Sequence, residues 1–292
     1  MKTFKDAVRT RDFAVSAEIF LRPESDAETI RQQAGVLRDH VDAIVVTDNQ
    51  FGQLHMSTLV AASILLDSGV DAVVQMSSRN RNRIALLSDL LGAGVLGVTS
   101  LLLIRGAKVP AGFDPKPKVV LDVNAMEFMR IAATVKADPK LRYCPDFFVG
   151  GVITPHVPRD NWKAKRLEEK IDAGAQFIQT HICMDTDLLR GFMKHLVDEG
   201  LVQRTSFIGA VAVLESADDA RWLKKNRPSV IVPDALIERL DVADDPREEG
   251  VQICVETLQA MAEIPGIAGA SIMASRNLTT IPEVISRSGL SG

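Results

Sequence analysis

The feature that most constrains this chain is an alternation. Short apolar runs rich in β-branched residues alternate with segments of helical period, eight times over. The runs are Val15–Phe20, Ala43–Thr47, Ala72–Met76, Gly97–Ile104, Phe147–Ile153, Phe177–Ile182, Phe207–Val213 and Ala268–Ala274. They are apolar on both faces, as strands are when a parallel sheet is covered on both sides. The box Ser25-Asp26-Ala27-Glu28 predicts a helix start, and Ile30, Ala34, Leu37 and Val41 form one stripe behind it. Further helices are predicted over Ser57–Asp67, Ile84–Leu91, Ala125–Val135, Lys163–Ala173, Asp187–Glu199, Ser216–Lys225, Asp234–Leu240 and Pro246–Ala262. Gly69, Gly92 with Gly94, Gly174 and Gly200 read as helix stops. A Pro- and Lys-containing segment, Gly106–Lys118, follows the fourth strand.

This order predicts an α/β fold, a single-domain (β/α)8 TIM barrel spanning residues 1–292. An open doubly wound sheet is the alternative, but no GxGxxG follows any strand. Hydrophobic residues make up 46% and charged residues 25%, enough for a large core and against disorder. A net charge of −4 argues against a nucleic-acid or anionic-membrane surface. Cys144, Cys183 and Cys254 are far apart with no CxxC pair, against a disulfide framework or a structural zinc site. The segment MKTFKDAVRTRDF has no apolar signal core, and the apolar stretch Val95–Ile104 is too short to span a membrane. The expected setting is the reducing cytoplasm.

A barrel of this kind carries its chemistry at the strand C-termini. The polar residues there are Glu18, Thr47-Asp48-Asn49, Gln75 to Ser78, Arg105-Gly106, Thr154, His156, His181, Glu215 and Ser275-Arg276-Asn277. Glu18 lies inside an apolar strand, so it points into the barrel mouth, where burial would raise its pKa and suit it to general-acid work. The competing reading is a structural Glu paired to an Arg such as Arg276. Arg105 would bind phosphate or carboxylate through its planar fork, or cap a strand-end carboxylate. His156 and His181 have no ligand-type spacing, and no metal site is expected. Lys163 to Arg166 and Lys170 make a basic helix face whose ordinary role is solvation.

Four blocks resemble one enzyme family. Ser16-Ala-Glu-Ile-Phe20 with Pro23 is similar to its SFEFFPP. Val45-Val-Thr47 is similar to its SVT strand end, and Leu103-Ile-Arg-Gly106 to its ALRGD. Leu167-Glu-Glu-Lys-Ile-Asp-Ala-Gly-Ala175 with Phe177-Ile-Gln-Thr180 is similar to its LKRKVDAGADFIITQ. The family is the methylenetetrahydrofolate reductases, and the resemblance covers nearly the whole chain.

The resemblance implies a barrel that binds FAD and a tetrahydrofolate derivative, takes reducing equivalents from NAD(P)H, and forms a homo-oligomer. By position, Glu18 is implied as the catalytic acid that opens the imidazolidine of 5,10-methylenetetrahydrofolate. Thr47, Gln75, Arg105, Gly106, His156, Arg166 and Lys170 fall at flavin positions, and His181 and Arg276, with Glu18, at folate positions. The departures are specific. The Asp of LRGD is Ala107, a His after strand three is Gln75, and a folate-contacting Gln is His181. An Asn and an Arg of the flavin site are Arg166 and Glu169, and the family's YPE-x-HP reads Val152-Ile-Thr-Pro-His156-Val157. Losing a carboxylate at 107 removes a charge that disfavours anionic reduced flavin. That raises the expected flavin potential and favours oxidation of 5-methyltetrahydrofolate, as a demethylation pathway requires. A non-catalytic or flavin-free folate-binding partner subunit is the alternative from another class. An unrelated lyase or aldolase would need a strand-end Lys inside a strand, and none is present.

Overall fold

In the computed structural model, the described residues are 2–10, 13–48, 52–109, 112–137, 141, 145–274 and 276–290. Strands β1 (Ala14–Ile19), β2 (Ala43–Val46), β3 (Ala72–Ser77), β4 (Ser100–Ile104), β5 (Phe148–Ile153), β6 (Phe177–Ile182), β7 (Ser206–Val213) and β8 (Ile267–Ala274) pair in chain order. All neighbours are parallel, and β8 pairs back onto β1 to close the barrel. The predicted (β/α)8 TIM barrel is the observed fold, and the open-sheet alternative is excluded.

Closure explains why the strands are apolar on both faces. Val45, Val73, Leu102, Phe148, Phe177 and Ile208 fill the barrel interior. Ile44, Val74, Leu101, Val149 and Ile178, one residue away on each strand, pack outward against the helices. Those helices are α2 (Ala27–Leu37), α3 (Thr58–Asp67), α4 (Arg83–Val95), α5 (Ala125–Thr134), α6 (Lys165–Asp172), α7 (Thr186–Asp198) and α8 (Ala217–Asn226). Two more, α9 (Asp234–Val242) and α10 (Pro246–Ala262), precede β8, as the pattern predicted.

Local signals are corrected in places. The cap of α2 is Asp26, not Ser25: its carboxylate accepts from Thr29 N at 2.8 Å, and Thr29 completes the box in place of Glu28. Helix α4 runs through Gly92 and Gly94 to Val95, because neighbouring hydrophobic burial outweighs two weak helix formers. The left-handed stop falls at Gly97 (φ 86°), so β4 begins only at Ser100.

Two helices lack a strand-type signal and were not predicted: α1 (Phe4–Thr10) and α11 (Thr280–Ser288). Helix α1 seals the N-terminal end of the barrel. Phe4, Ala7 and Val8 join the interior cluster, and the Phe4 ring meets Phe177 edge-on at 5.5 Å. Phe177 stacks on Phe148 at 4.9 Å, and Gly150 makes room for it: a Cβ there would lie 2.1 Å from the Phe177 ring. The Phe4 N–H donates to the buried Asp71 carboxylate at 2.7 Å. With this end filled by aromatic rings, the space for a ligand lies at the other end. No helix among the described residues is long and apolar enough to cross a membrane.

Candidate active site

A cavity of about 450 Å³ opens at the strand C-termini, within the size range of small-molecule sites. Its lining includes Glu18 from β1, Gln75 from β3, Arg105 after β4, Gln179 and His181 from β6, and Arg227 after α8. Glu18 lies level with Val45 and Met273 in the ladders of β2 and β8, one residue short of the end of β1. It faces inward because residues two apart on a strand share a face, and Ala14 below it belongs to the interior cluster. Among the described lining residues, Glu18 is the lone carboxylate.

The structure corrects the expected partner of Glu18. Arg276 is held elsewhere: its Nε reaches both oxygens of Asp219, at 2.9 and 3.0 Å. The Glu18 charge acts on Arg227, which burial otherwise pushes toward the neutral form. Nothing near Arg227 in the sequence signals this role, because the residue arrives from a loop more than two hundred positions away.

The β6 end is shaped by an irregularity. The β6–β7 register shifts between Gln179 and Ile182, and Thr180 Oγ1 accepts the Ala210 N–H at 2.9 Å where a ladder carbonyl would stand. Gln179 and His181, two apart on β6, share its inner face and both line the cavity. Burial, then the charges of Arg227 and Lys170, pushes the His181 pKa down to about 4. At neutral pH its ring is uncharged, with one nitrogen to donate and one to accept. Gln179 belongs to the Phe177-Ile-Gln-Thr180 block but carries no site expectation from the sequence. Its inward, polar position two residues before His181 is the signal that marks it.

Gln75 is fixed from behind. Its Oε1 accepts the Asp48 N–H at 2.9 Å, so its amide nitrogen is what it offers the cavity. Asp48 in turn accepts from Ser77 N at 2.7 Å and from Arg81 at 2.6 Å. Past the strand ends, Arg79 N donates to Arg105 O at 3.0 Å and Arg79 Nε to Gly106 O at 3.0 Å. Gly106 takes φ 88°, and a Cβ would meet Ser77 Cβ at 2.7 Å, so the turn requires glycine. The exposed Arg105 side chain lies on the rim, and Ala107 lines the wall beside it.

Other positions matched by resemblance stand apart from this cavity. The Thr47 hydroxyl donates to Ile19 O at 3.0 Å and is buried. His156 lies edge-on to Trp162 at 4.6 Å and near Phe192 at 5.2 Å, outside the barrel. Arg166 is exposed on α6. Lys170 donates to Val152 O, and burial followed by the Arg166 charge lowers its pKa. Among the remaining rim residues, Glu215 accepts from Asn277 N at 2.8 Å, and Thr154 O lies 3.3 Å from His156 Nδ1. Asn49, Ser275 and Cys144 lie outside the described residues. Burial raises the thiols of Cys183 and Cys254 to about 12, so both are inert. No group of three or more His, Cys, Asp or Glu side chains suited to a metal gathers among the described residues.

A second cavity, of about 520 Å³, adjoins the first, with Arg227 lining both. Phe20, Pro23, Leu214, Trp222 and Met273 make it largely apolar, and Asp219 brings the Arg276 clamp to its edge.

The flavin test divides by position. Gln75, Arg105 and Gly106 meet at the mouth cavity, with Lys170 behind its Val152 wall, and this side fits a flavin. Thr47, His156 and Arg166 do not face it, so any contacts to the rest of the cofactor differ from those the resemblance implied.

Comparison with known proteins agrees with the architecture. The structure of an uncharacterized protein from Clostridium thermocellum, described as binding two copies of 5-methyl-5,6,7,8-tetrahydrofolic acid, superposes with a TM-score of 0.71. Identity is 14%, over 97% of this chain and 96% of that one. DmoA from Hyphomicrobium sulfonivorans superposes with a TM-score of 0.56 at 9% identity, over 94% and 86%. At such identities the likeness shows the fold alone. No curated protein matches the sequence. The family model for methylenetetrahydrofolate reductase, however, matches residues 3–289, and the chain therefore belongs to that family.

Proposed function

We propose that this chain is a flavin-dependent oxidoreductase that interconverts 5,10-methylenetetrahydrofolate and 5-methyltetrahydrofolate in its mouth cavity. The observation that carries this reading is Glu18: one inward carboxylate in a cavity whose other described polar side chains include amides, a neutral imidazole and two arginines, set in a largely apolar wall. Support comes from the family match and from the folate ligands of the Clostridium thermocellum neighbour.

A pterin presents alternating donors and acceptors along one edge. Gln179 and the neutral His181 can meet both kinds, which a charged imidazole could not. Glu18 moves the proton at N10: given to N10, it lets the N10–C bond break and leaves the 5-iminium; taken from N10, it lets the ring close. The adjoining apolar cavity suits the aminobenzoate of the folate tail, and Arg276 at its edge suits a terminal carboxylate. Gln75, Arg105, Gly106 and Lys170 are the residues that would hold the flavin. When bound, a flavin supplies the hydride acceptor or donor. The Asp-to-Ala107 departure favours the oxidative direction in a one-carbon or demethylation pathway.

The test is an absorbance spectrum of purified protein, followed by anaerobic 5-methyltetrahydrofolate. Yellow protein that bleaches supports the reading. Glu18→Gln should keep the flavin and lose folate turnover by at least ~100-fold, the usual contribution of a general acid–base group. Near wild-type turnover in that variant sinks the role of Glu18. A second reading, a flavin-free folate-binding subunit, is favoured by the placement of Thr47 and His156 away from the cavity. Colourless protein that binds 5-methyltetrahydrofolate and cannot be reconstituted with FAD would establish it instead.

A further inference from the structure

We infer that Arg227 is the positioning residue that holds Glu18 as a carboxylate, making it the proton acceptor for ring closure on N10. This rests on the folate reading above and deepens it. Both side chains line the mouth cavity, and the Glu18 charge is the one that acts on the buried Arg227 guanidinium.

The backbone delivers Arg227 rigidly. It follows α8 directly, with its N–H on Leu223 O at 2.9 Å. Val230 N returns to Arg227 O at 2.9 Å, closing a turn through Pro228 and Ser229. The next residue is stitched to the β6 end: Ile231 N donates to Ile182 O at 2.9 Å, and Met184 N to Ile231 O at 2.8 Å. Ile231 also bridges Cys183. A guanidinium on such a loop has a defined place above β6, where a flexible surface arginine does not.

Two further described cations act in the same sense. Arg105 comes from the β4 end, and Lys170 from α6 stands behind His181, which is neutral. The cavity faces contributed by β3, β5 and β7 are Gln75, Val152 and Ala210, all uncharged, and Met273 flanks Glu18 on β8. No second carboxylate lines the cavity among the described residues, and Ala107 stands where the family has one. Among the described residues, Arg227, Arg105 and Lys170 favour the ionised form of Glu18, while the one carboxylate behind the wall, Asp48 at the β2 end beneath Gln75, is taken up by Arg81. In the closing step the N10 lone pair attacks the iminium carbon and the N10–C bond forms. The C=N electron pair returns to N5, and the N10 proton passes to the Glu18 carboxylate. Atoms and charge balance without a further reagent.

The test reads Glu18 directly. Its carboxyl stretch is assigned by infrared difference between wild type and Glu18→Gln, then titrated in wild type, Arg227→Gln and Arg227→Lys. Wild-type Glu18 should be ionised at pH 6. Arg227→Gln should move its midpoint up by about one pH unit or more, the ordinary effect of losing an adjacent opposite charge, and Arg227→Lys should restore it. The acid limb of 5-methyltetrahydrofolate turnover should move with it. A protonated Glu18 at pH 6 in wild type overturns the inference even where Arg227→Gln fails to fold. So does an unmoved midpoint in a folded Arg227→Gln. Loss of turnover in Glu18→Gln with an unmoved midpoint overturns the pairing and leaves the folate reading standing. A moved midpoint with full turnover in Glu18→Gln does the reverse.

Discussion

Asp71 offers the most quantitative perturbation. It sits immediately before β3, 2% exposed, and accepts the first N–H of α1 from Phe4 at 2.7 Å. Burial raises its pKa from the usual 3.8 to about 6, against the lowering effect of its backbone hydrogen bonds from Phe4 and Ala72. At about 1.4 kcal/mol per pH unit, that difference is worth about 3 kcal/mol. The sign follows from linkage: the folded pKa is the higher, so the contribution is complete below about pH 3.8 and is lost as pH rises through about 6. Asp6, Asp26 and Asp146 have lowered values and act oppositely on the total, so the wild-type curve alone is not diagnostic. The difference between wild type and Asp71→Asn is, because the amide keeps an acceptor for Phe4 N but does not titrate. Urea unfolding from pH 4 to pH 7 should show the variant gaining most of ~3 kcal/mol over wild type across that range, with the steepest change at about pH 5, between the unfolded and folded values, and a levelling above about pH 6. A flat difference would show that Asp71 is charged in the folded state at no cost and would refute the burial reasoning.

Two further outcomes follow from the structure. Gly150→Ala places a methyl group 2.1 Å from the Phe177 ring, so the barrel floor must shift; a loss of about 1–3 kcal/mol or more is expected by thermal or urea unfolding, with no such loss in the open-space Gly191→Ala. In flavin-loaded protein, Ala107→Asp should lower the midpoint potential, measured by anaerobic dye equilibration, since a carboxylate beside the cavity disfavours the anionic reduced form.

The barrel was legible because its signals are local and repeated. A parallel strand buried on both faces reads as one apolar run, and Gly174 and Gly200 end helices where their positive φ values require. The seal was not legible, since α1 is short and its Phe4 contacts lie on β5 and β6. Within the site, residues on strands were found by their polarity among apolar neighbours: Glu18, Gln75 and His181 all reach the cavity. Residues whose role depends on a distant loop were not. Arg227 carries no pattern of its own, and Arg276 was matched to the wrong carboxylate because only the fold brings Asp219 to it. His156 shows the converse: matching a motif position fixed its place in the chain, while Trp162 and Phe192 decided where its ring packs.

The aromatic seal also bears on the order of assembly. Phe4 belongs to the start of the chain, yet its ring partners arrive with the fifth and sixth strands. Closing so long a loop costs entropy before any contact rewards it, so docking of the first helix on these rings is expected to follow formation of the fifth and sixth strands. On that expectation the leading segment acts as the clasp of the ring rather than its nucleus. Protection of the Phe4 amide, which donates to Asp71 ahead of β3, becomes a direct report that this segment has docked on the barrel floor.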